Sequence, residues 1–542
     1  MREIRVVIVV GAGMVPAWVA ETVNRVNSAP RVNVVALVKS DEHVPALPAH
    51  LRVYRSLDHR AFREQCSPLD PVQLTCGNPP TSSDLELTER HDVLVDLTGG
   101  PNFPEVLPRF GVWWYSSAPQ CGGSPLPYFW EVYDKQPTVR GALCAQLDPS
   151  RPPMVLERFQ CAASSMSVER TSHHVFWKAP GSIVRQLRLL TESDDVVPEQ
   201  AAERSPGASF PQATGRGVPH VKHALWLALR TSGRLVSNRL RNLTTETKWF
   251  VAFHLRSSSC RTPRFRTLPT PRHSYLADPF PIDSEGETFI FVEEYRRRQK
   301  KGVISYVRVD AEGEISPAEV ALEEDYHLSY PFVFHWNGEC YMLPESSQVH
   351  RIELFKAVAF PGSWTRVGTL VEGVRALDAT LVRDRDTWWL FANIEVSQGG
   401  YDELHLFHSH ELLGPWKPHP CNPVLCDVRR ARPAGSVFRQ GKHLIRPSQD
   451  CSVGYGSAIV LNRIDCLSAE AYRDTPIARI NADWLPRLEG THTVNRSKRV
   501  VTIDGNLRTT RWSKWHSRSR FLSSSISTWL LEDFDDAPPR TQ

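Results

Sequence analysis

From Trp249 onward the chain repeats one local pattern: a short run of β-branched and aromatic residues, a tight turn, and a second such run. The runs at 332–335 and 340–343 flank Asn337-Gly338, those at 380–383 and 388–392 flank 384–386, and those at 436–439 and 442–445 flank Gln440-Gly441. Strand, two-residue turn, strand is the signature of a hairpin. The hairpin groups start near Asp278, Pro331, Asp378 and Ala434, at intervals of roughly 45–60 residues, which is the period of propeller blades. A fifth group forms if 249–254 pairs with 500–504, a closure that leaves no exposed sheet edge. The expectation is an all-β five-bladed propeller over 249–505, followed by a basic, Ser-rich mobile tail at 506–542.

The first 190 residues read differently, so the protein is multidomain. The runs 6–10, 32–38 and 92–97 are apolar throughout, and 16–26 carries apolar residues at helical spacing. Val53-Tyr54 reads as a strand edge and 58–65 as a short helix. Continuous apolar strands separated by helices imply an α/β, Rossmann-like parallel sheet covered on both faces. Residues 66–90 read as a surface insertion. The leader Met1-Arg-Glu-Ile-Arg5 followed by five Val/Ile residues fits a buried first strand entering the Gly11-Ala-Gly13 turn better than a secretory signal. Residues 191–248 read as a connecting segment: a Pro/Ser/Ala/Gly-rich linker, then a basic amphipathic helix at 221–243 with Leu225, Leu229, Leu235 and Val236 as its packed side. That helix is also the one feature suited to peripheral contact with an anionic membrane.

Composition excludes several classes. A net charge of +4 on 542 residues gives no concentrated basic surface for nucleic acid. The eleven cysteines contain no CxxC pair and no zinc-finger spacing, which suits reduced thiols in a cytoplasmic protein. Gly11-Ala-Gly13 lacks the third glycine of a dinucleotide fingerprint. No cofactor and no metal is expected.

The stretches Phe110-Gly-Val-Trp113-Trp-Tyr-Ser-Ser-Ala118, Gly122-Gly-Ser-Pro-Leu-Pro-Tyr-Phe-Trp-Glu-Val-Tyr133 and Arg140-Gly-Ala-Leu143, with Asp92-Val-Leu-Val-Asp-Leu-Thr-Gly99 before them, resemble the formyltransferase fold. The resemblance implies a catalytic Asn, His and Asp. The matching positions here are Trp114, Ser116 and about Pro152, none of which polarises a formamide or relays a proton in that way. A degenerate domain follows; folate-dependent formylation of an amino sugar is the alternative.

Carboxylates stand at the blade starts: Asp278 in Ala277-Asp-Pro-Phe280, Glu345 in Leu343-Pro-Glu-Ser346 and Asp378 in Asp378-Ala-Thr380. Inner strands line a propeller's channel, so such residues converge on one pocket. Glycosyl transfer needs two carboxyl groups with separated pKa values, and these three can supply them as catalytic groups. Arg432 and Arg446 suit a substrate phosphate or carboxylate. Tyr330, Trp336 and Tyr455 offer stacking faces, and Asp450 and His492 are further channel candidates. Glu293, Glu294 and Glu395 are weaker ones. Asp-Pro and Asp-Ala-Thr are also ordinary turn chemistry.

The acidic blade starts resemble arabinanase- and xylosidase-type glycoside hydrolases. The ordered string from Ala277-Asp-Pro-Phe through Leu343-Pro-Glu-Ser, Asp378-Ala-Thr, Ala431-Arg-Pro-Ala-Gly435 and Gln449-Asp450 resembles the propeller region of plant glucosamine inositolphosphorylceramide transferases and their bacterial relatives. This resemblance implies a glycosyltransferase or glycosidase-like enzyme of glycan or glycolipid biosynthesis acting on a sugar or sugar phosphate. A non-catalytic carbohydrate-binding protein is the competing reading.

Overall fold

The computed structural model describes residues 2–40, 47–62, 67–74, 81–82, 91–98, 104, 106–117, 126–192, 216–256, 264–395, 400–510 and 521–523. It divides into two compact units, Met1–Asn238 and Arg239–Gln542. Most of the expected insertion at 66–90, linker at 191–220 and tail at 506–542 lies outside the described residues.

The first unit is built on a seven-stranded sheet in the order Thr81–Ser82, Val32–Ser40, Ile4–Gly11, Val93–Asp96, Val112–Ser117, Thr138–Gln146, Met154–Ala162. The first five strands are parallel and the last two antiparallel. Val6 to Val10 are all buried, as a central strand covered on both faces requires. The antiparallel extension is absent from the sequence reading, because short apolar runs do not declare their direction.

Two helical expectations need correction. Val53-Tyr54 is not a strand edge but the middle of helix Ala49–Phe62, which buries Leu51, Tyr54, Asp58 and Phe62 at spacings of three and four. Helix Val221–Thr244 forms as expected but presents another face. It buries Ala224, Leu227 and Thr231, while Leu225, Leu229, Leu235 and Val236 stay exposed. Ala224 and Leu227 join the cluster of Tyr54, Phe129, Trp130 and Val168. The guanidinium of Arg230 donates to the carbonyls of Val132 and Tyr133, both at 2.7 Å, and so caps the end of helix Phe129–Tyr133. Part of the basic face therefore packs inward. No described helix is long and apolar enough to cross a membrane.

The second unit holds five antiparallel sheets. Blade 1 runs through Ser274–Ser284, Glu287–Arg296, Lys301–Val309 and Glu319–Leu322. Blade 2 runs through Ser329–Trp336, Glu339–Glu345, Arg351–Ala359 and Ser363–Glu372. Blade 3 has Ala376–Asp384, Thr387–Ile394 and Glu403–Ser409, with short pieces Lys417–Pro418 and Leu425–Cys426 on its edge. Blade 4 has an interrupted inner strand, Arg432–Pro433 and Phe438–Gln440, then His443–Asp450, Ala458–Leu467 and Tyr472–Asn481. Blade 5 joins both ends of the unit: Thr245–Leu255 pairs with Val500–Thr510 along its whole length, from Thr245 opposite Thr510 to Leu255 opposite Val500. Strand therefore continues past Asn506, and Phe521–Ser523 adds an outer edge, so these parts of the expected tail belong to the blade. The five-bladed propeller stands.

Three inner strands carry the same irregularity. Asp278-Pro279, Tyr330-Pro331 and Asp378-Ala379 each bulge, two residues facing one on the neighbouring strand. Asp278, Tyr330 and Asp378 have φ of 51°, 45° and 52°, a left-handed conformation costly for residues with a Cβ. Blade 4 makes its break with Gly435 at φ 135°, where an added Cβ would lie 2.1 Å from the Val494 carbonyl oxygen. Blades 4 and 5 meet there: Val494 N–H donates to the Ala434 carbonyl at 2.9 Å.

Gly435→Ala is expected to cost about 2–4 kcal/mol of propeller stability, since the clash is with backbone that cannot give way. Gly338→Ala, in open space at a hairpin tip, should cost only about 1 kcal/mol. Chemical denaturation of the two variants checks the difference.

Candidate active site

The bulges turn Asp278, Tyr330 and Asp378 toward the propeller axis and leave their amides without a ladder partner. Side chains from adjacent blades supply one. Asp504 Oδ2 accepts from the Asp278 amide at 3.1 Å, Asp278 Oδ2 from the Tyr330 amide at 3.3 Å, and Glu345 Oε2 from the Asp378 amide at 3.1 Å. The Gly435 amide donates to the Tyr330 hydroxyl at 2.7 Å. Arg432 Nε and Gln449 Nε2 both donate to Asp378 Oδ2 at 2.6 Å. Thr493 donates to Asp278 Oδ1 at 2.7 Å, and His492 Nδ1 lies 2.5 Å from Asp504 Oδ2 with its ring stacked on Trp249 at 3.9 Å.

Five buried carboxyl groups thus crowd the axis: Asp278, Glu293, Glu345, Asp378 and Asp504. Burial and mutual repulsion must push some toward the neutral form. Burial raises Asp278 to about 6, against the pull of His492. Burial, followed by the charges of Asp278, Glu345 and Asp378, raises Glu293 well above the usual range. Burial and then Asp378 raise Glu345 to about 8, with Arg432 opposing. Burial disfavours the charged imidazole of His492, but the carboxylates of Asp504 and Asp278 outweigh it and raise its pKa.

A cavity of about 560 Å³ opens on this cluster. Glu345, Glu395, Arg375 and Arg432 line it with the rings of Tyr401 and Tyr455, and His327, Gln348 and His350 complete one side. Arg432 Cζ lies over both tyrosine rings, 4.9 Å from Tyr401 and 4.8 Å from Tyr455, and the two rings touch each other with centroids 5.7 Å apart. Glu395 is salt-bridged to Arg375 at 2.8 Å. A neutral carboxyl, a paired carboxylate, a held guanidinium and two aromatic faces within one cavity suit a sugar ring and proton transfer to its substituents.

The sequence-derived candidates separate into three groups. Glu345, Arg432 and Tyr455 line the cavity as expected. Asp278, Asp378 and His492 join the cluster but are buried behind it, and Tyr330 is fully buried, its hydroxyl 2.9 Å from Thr380 Oγ1, so it offers no stacking face. Arg446 and Asp450 are placed apart from the cavity. Arg446 is sealed inside blade 4 against Asp474 at 2.5 Å and Tyr472 at 3.0 Å. Asp450 accepts from the Ser452 amide at 2.8 Å and pairs with Arg479. Trp336 packs edge-on against Trp388 under Arg383. The sequence reading missed Asp504 and Gln449 as channel groups, and Tyr401, Arg375, His327 and His350 as cavity walls. Asp504 was visible as the end of the closing strand; the wall residues come from loops with no repeated motif. Asp278, His492 and Asp504 each place one ligand atom within 4.8 Å of the others, a spacing that could hold a cation, although their present bonds already use these atoms.

Residues 247–487 match the family described as glucosamine inositolphosphorylceramide transferase 1, N-terminal. The glucosamine inositolphosphorylceramide transferase 1 of Oryza sativa subsp. japonica is 30% identical over 318 residues, covering 52% of this chain and 42% of the relative. That of Arabidopsis thaliana is 35% identical over 210 residues, covering 38% of this chain and 27% of the relative. The chain therefore spans less than half the length of the curated relatives it matches. Solved structures similar to it include the catalytic domain of the Coprinopsis cinerea GH62 α-L-arabinofuranosidase, at 14% identity and TM-score 0.35 over 51% of this chain and 98% of that one. A family 117 glycoside hydrolase from Zobellia galactanivorans is similar at 12% identity and TM-score 0.32 over 49% and 91%.

Two outcomes test the division between cavity and core. Glu345 keeps its proton in the folded state up to about 8, whereas the unfolded chain gives it up near 4.5. Its ionisation therefore lowers stability as pH rises between those values. The wild-type melting temperature should fall relative to Glu345→Gln across that window, and parallel curves would refute the assignment. Arg446→Met should cost about 3 kcal/mol by leaving buried Asp474 with Arg430 as its only arginine partner among the described residues, yet leave ligand binding at the cavity unchanged.

Proposed function

We propose that the propeller is the carbohydrate-handling part of a protein of glycan or glycolipid assembly, with Glu345 as the group that gives and takes a proton at the glycosidic oxygen. The single observation behind this reading is a buried carboxyl held neutral at physiological pH at the wall of a cavity with tyrosine faces. Glu395, salt-bridged to Arg375 on the same wall, is the second carboxyl group that glycosyl chemistry requires. Asp278 and Asp378 position rather than touch: they set the local charge and hold the bulges that shape the floor. The names of the similar plant proteins suggest an amino-sugar donor and an inositol phospholipid acceptor.

Carbohydrate recognition without turnover is the competing reading. It is favoured by the engagement of Asp278, Glu345 and Asp504 with backbone amides, and by a family match that concerns only the N-terminal region of a transferase. Peripheral membrane contact fits either reading. Helix Val221–Thr244 contains no Asp or Glu, and Leu225, Leu229, Val236, Leu240 and Leu243 form an exposed stripe along it.

With amino-sugar nucleotides as donors and inositol phospholipid vesicles as acceptor, Glu345→Gln is expected to lower kcat by about 100- to 10,000-fold with little change in sugar affinity. Sugar binding by wild type without product in any donor–acceptor combination would instead establish recognition alone. Replacing Leu225 and Leu229 by Glu should abolish co-sedimentation with anionic vesicles, and undiminished sedimentation would exclude the helix as the contact.

A further inference from the structure

Arg432 is a buried charge that the fold does not fully use. Its side chain is 7% exposed, and it is anchored through Nε alone: the bond to Asp378 is the only hydrogen bond its guanidinium makes with the described residues. Glu345 Oε2 stands 3.7 Å from Nη2, too far for a hydrogen bond. Neither Nη is sealed off as a buried atom without a partner, so both are open to the cavity that Arg432 lines. The rings of Tyr401 and Tyr455, together with the bond through Nε, hold the guanidinium in place and leave an edge with donors in a fixed plane.

The Nη edge is the part of an otherwise buried side chain that faces the cavity, and it has no hydrogen-bond acceptor among the described residues. Its fork geometry matches two oxygens of a phosphoryl group. In the same cavity Glu395 is paired with Arg375 and burial holds Glu345 toward its neutral form, so the carboxyl groups there do not oppose a phosphoryl group.

We infer that the cavity binds a phosphoryl-bearing sugar or cyclitol, with the phosphoryl oxygens on the Nη edge of Arg432 and the ring against the tyrosine-lined wall. This rests on the carbohydrate reading above and narrows it to anionic substrates. Two sources share that chemistry: a sugar phosphate on the donor side, and an inositol phosphate headgroup on the acceptor side.

Calorimetric titration of the full chain at low salt decides it, using glucosamine, glucosamine 1-phosphate, myo-inositol, myo-inositol 1-phosphate and inorganic phosphate. One phosphorylated compound is expected to bind at least about tenfold more tightly than its neutral counterpart, with the advantage shrinking as salt is raised. Which pair shows the preference identifies the source. Arg432→Lys, checked for an unchanged melting temperature, should lose most of it, because a point charge cannot replace the fork. If that variant does not fold, the wild-type comparison within each pair decides alone. Equal affinity within both pairs, or a preference undiminished in folded Arg432→Lys, overturns the inference. Turnover of neutral sugars without phosphate preference would sink it and leave the proposed chemistry intact. Phosphate preference without turnover would do the reverse.

Discussion

Around the axis of the second unit, a side chain from one blade satisfies a backbone amide that a neighbouring blade's bulge has left unpaired. Asp504 serves blade 1, Asp278 serves blade 2 and Glu345 serves blade 3, while the Tyr330 hydroxyl reaches the amide of Gly435 in blade 4. A buried amide without an acceptor costs free energy comparable to a lost hydrogen bond, so these contacts tie blade to blade around the axis. The left-handed φ values at Asp278, Tyr330 and Asp378 persist because this lacing over-determines them.

The same device creates the site's electrostatics. Three of the five buried carboxyl groups at the axis are these amide acceptors, and all five share a volume from which water is largely excluded. Arg432 and His492 offset part of that charge, and protonation offsets the rest. Glu345 is the member that both belongs to the cluster and lines the cavity. Its raised pKa is therefore a consequence of the architecture rather than of any group beside a substrate. Asp278 and Asp378 belong to the buried cluster but do not line the cavity.

Much of the site was legible from the residues themselves. Asp278-Pro and Asp378-Ala are short polar interruptions at the starts of apolar runs, which suits a turn or a channel position, whereas Tyr330 reads only as a stacking face and proves to be part of a third bulge. Arg446 shows where such reading fails. Its spacing from Arg432 resembles a second cationic ligand, but Asp474 and Tyr472, on the outermost strand of the same blade, claim it. Helix Val221–Thr244 fails in another way. Periodicity shows that an amphipathic face exists, yet Ala224, Leu227 and Thr231 are as regularly spaced as the larger apolar residues, and packing chose the former.

Sequence alone determined the hairpin period, the five-fold grouping, the closure of the second unit by strands from both its ends, and the buried parallel strands of the first. These follow from local rules: turn residues between runs of matched length, and apolar patterns that admit one burial. Tertiary structure alone decided which polar side chains meet. Asp278 and Asp504 are 226 residues apart, and Asp378 and Gln449 are 71 apart. Whether such groups bond an amide, an arginine or a ligand depends on distances of an ångström that no local pattern encodes. Pairing energies in a water-poor interior fall steeply over that distance, so function here is set at a scale finer than the one the chain spells out.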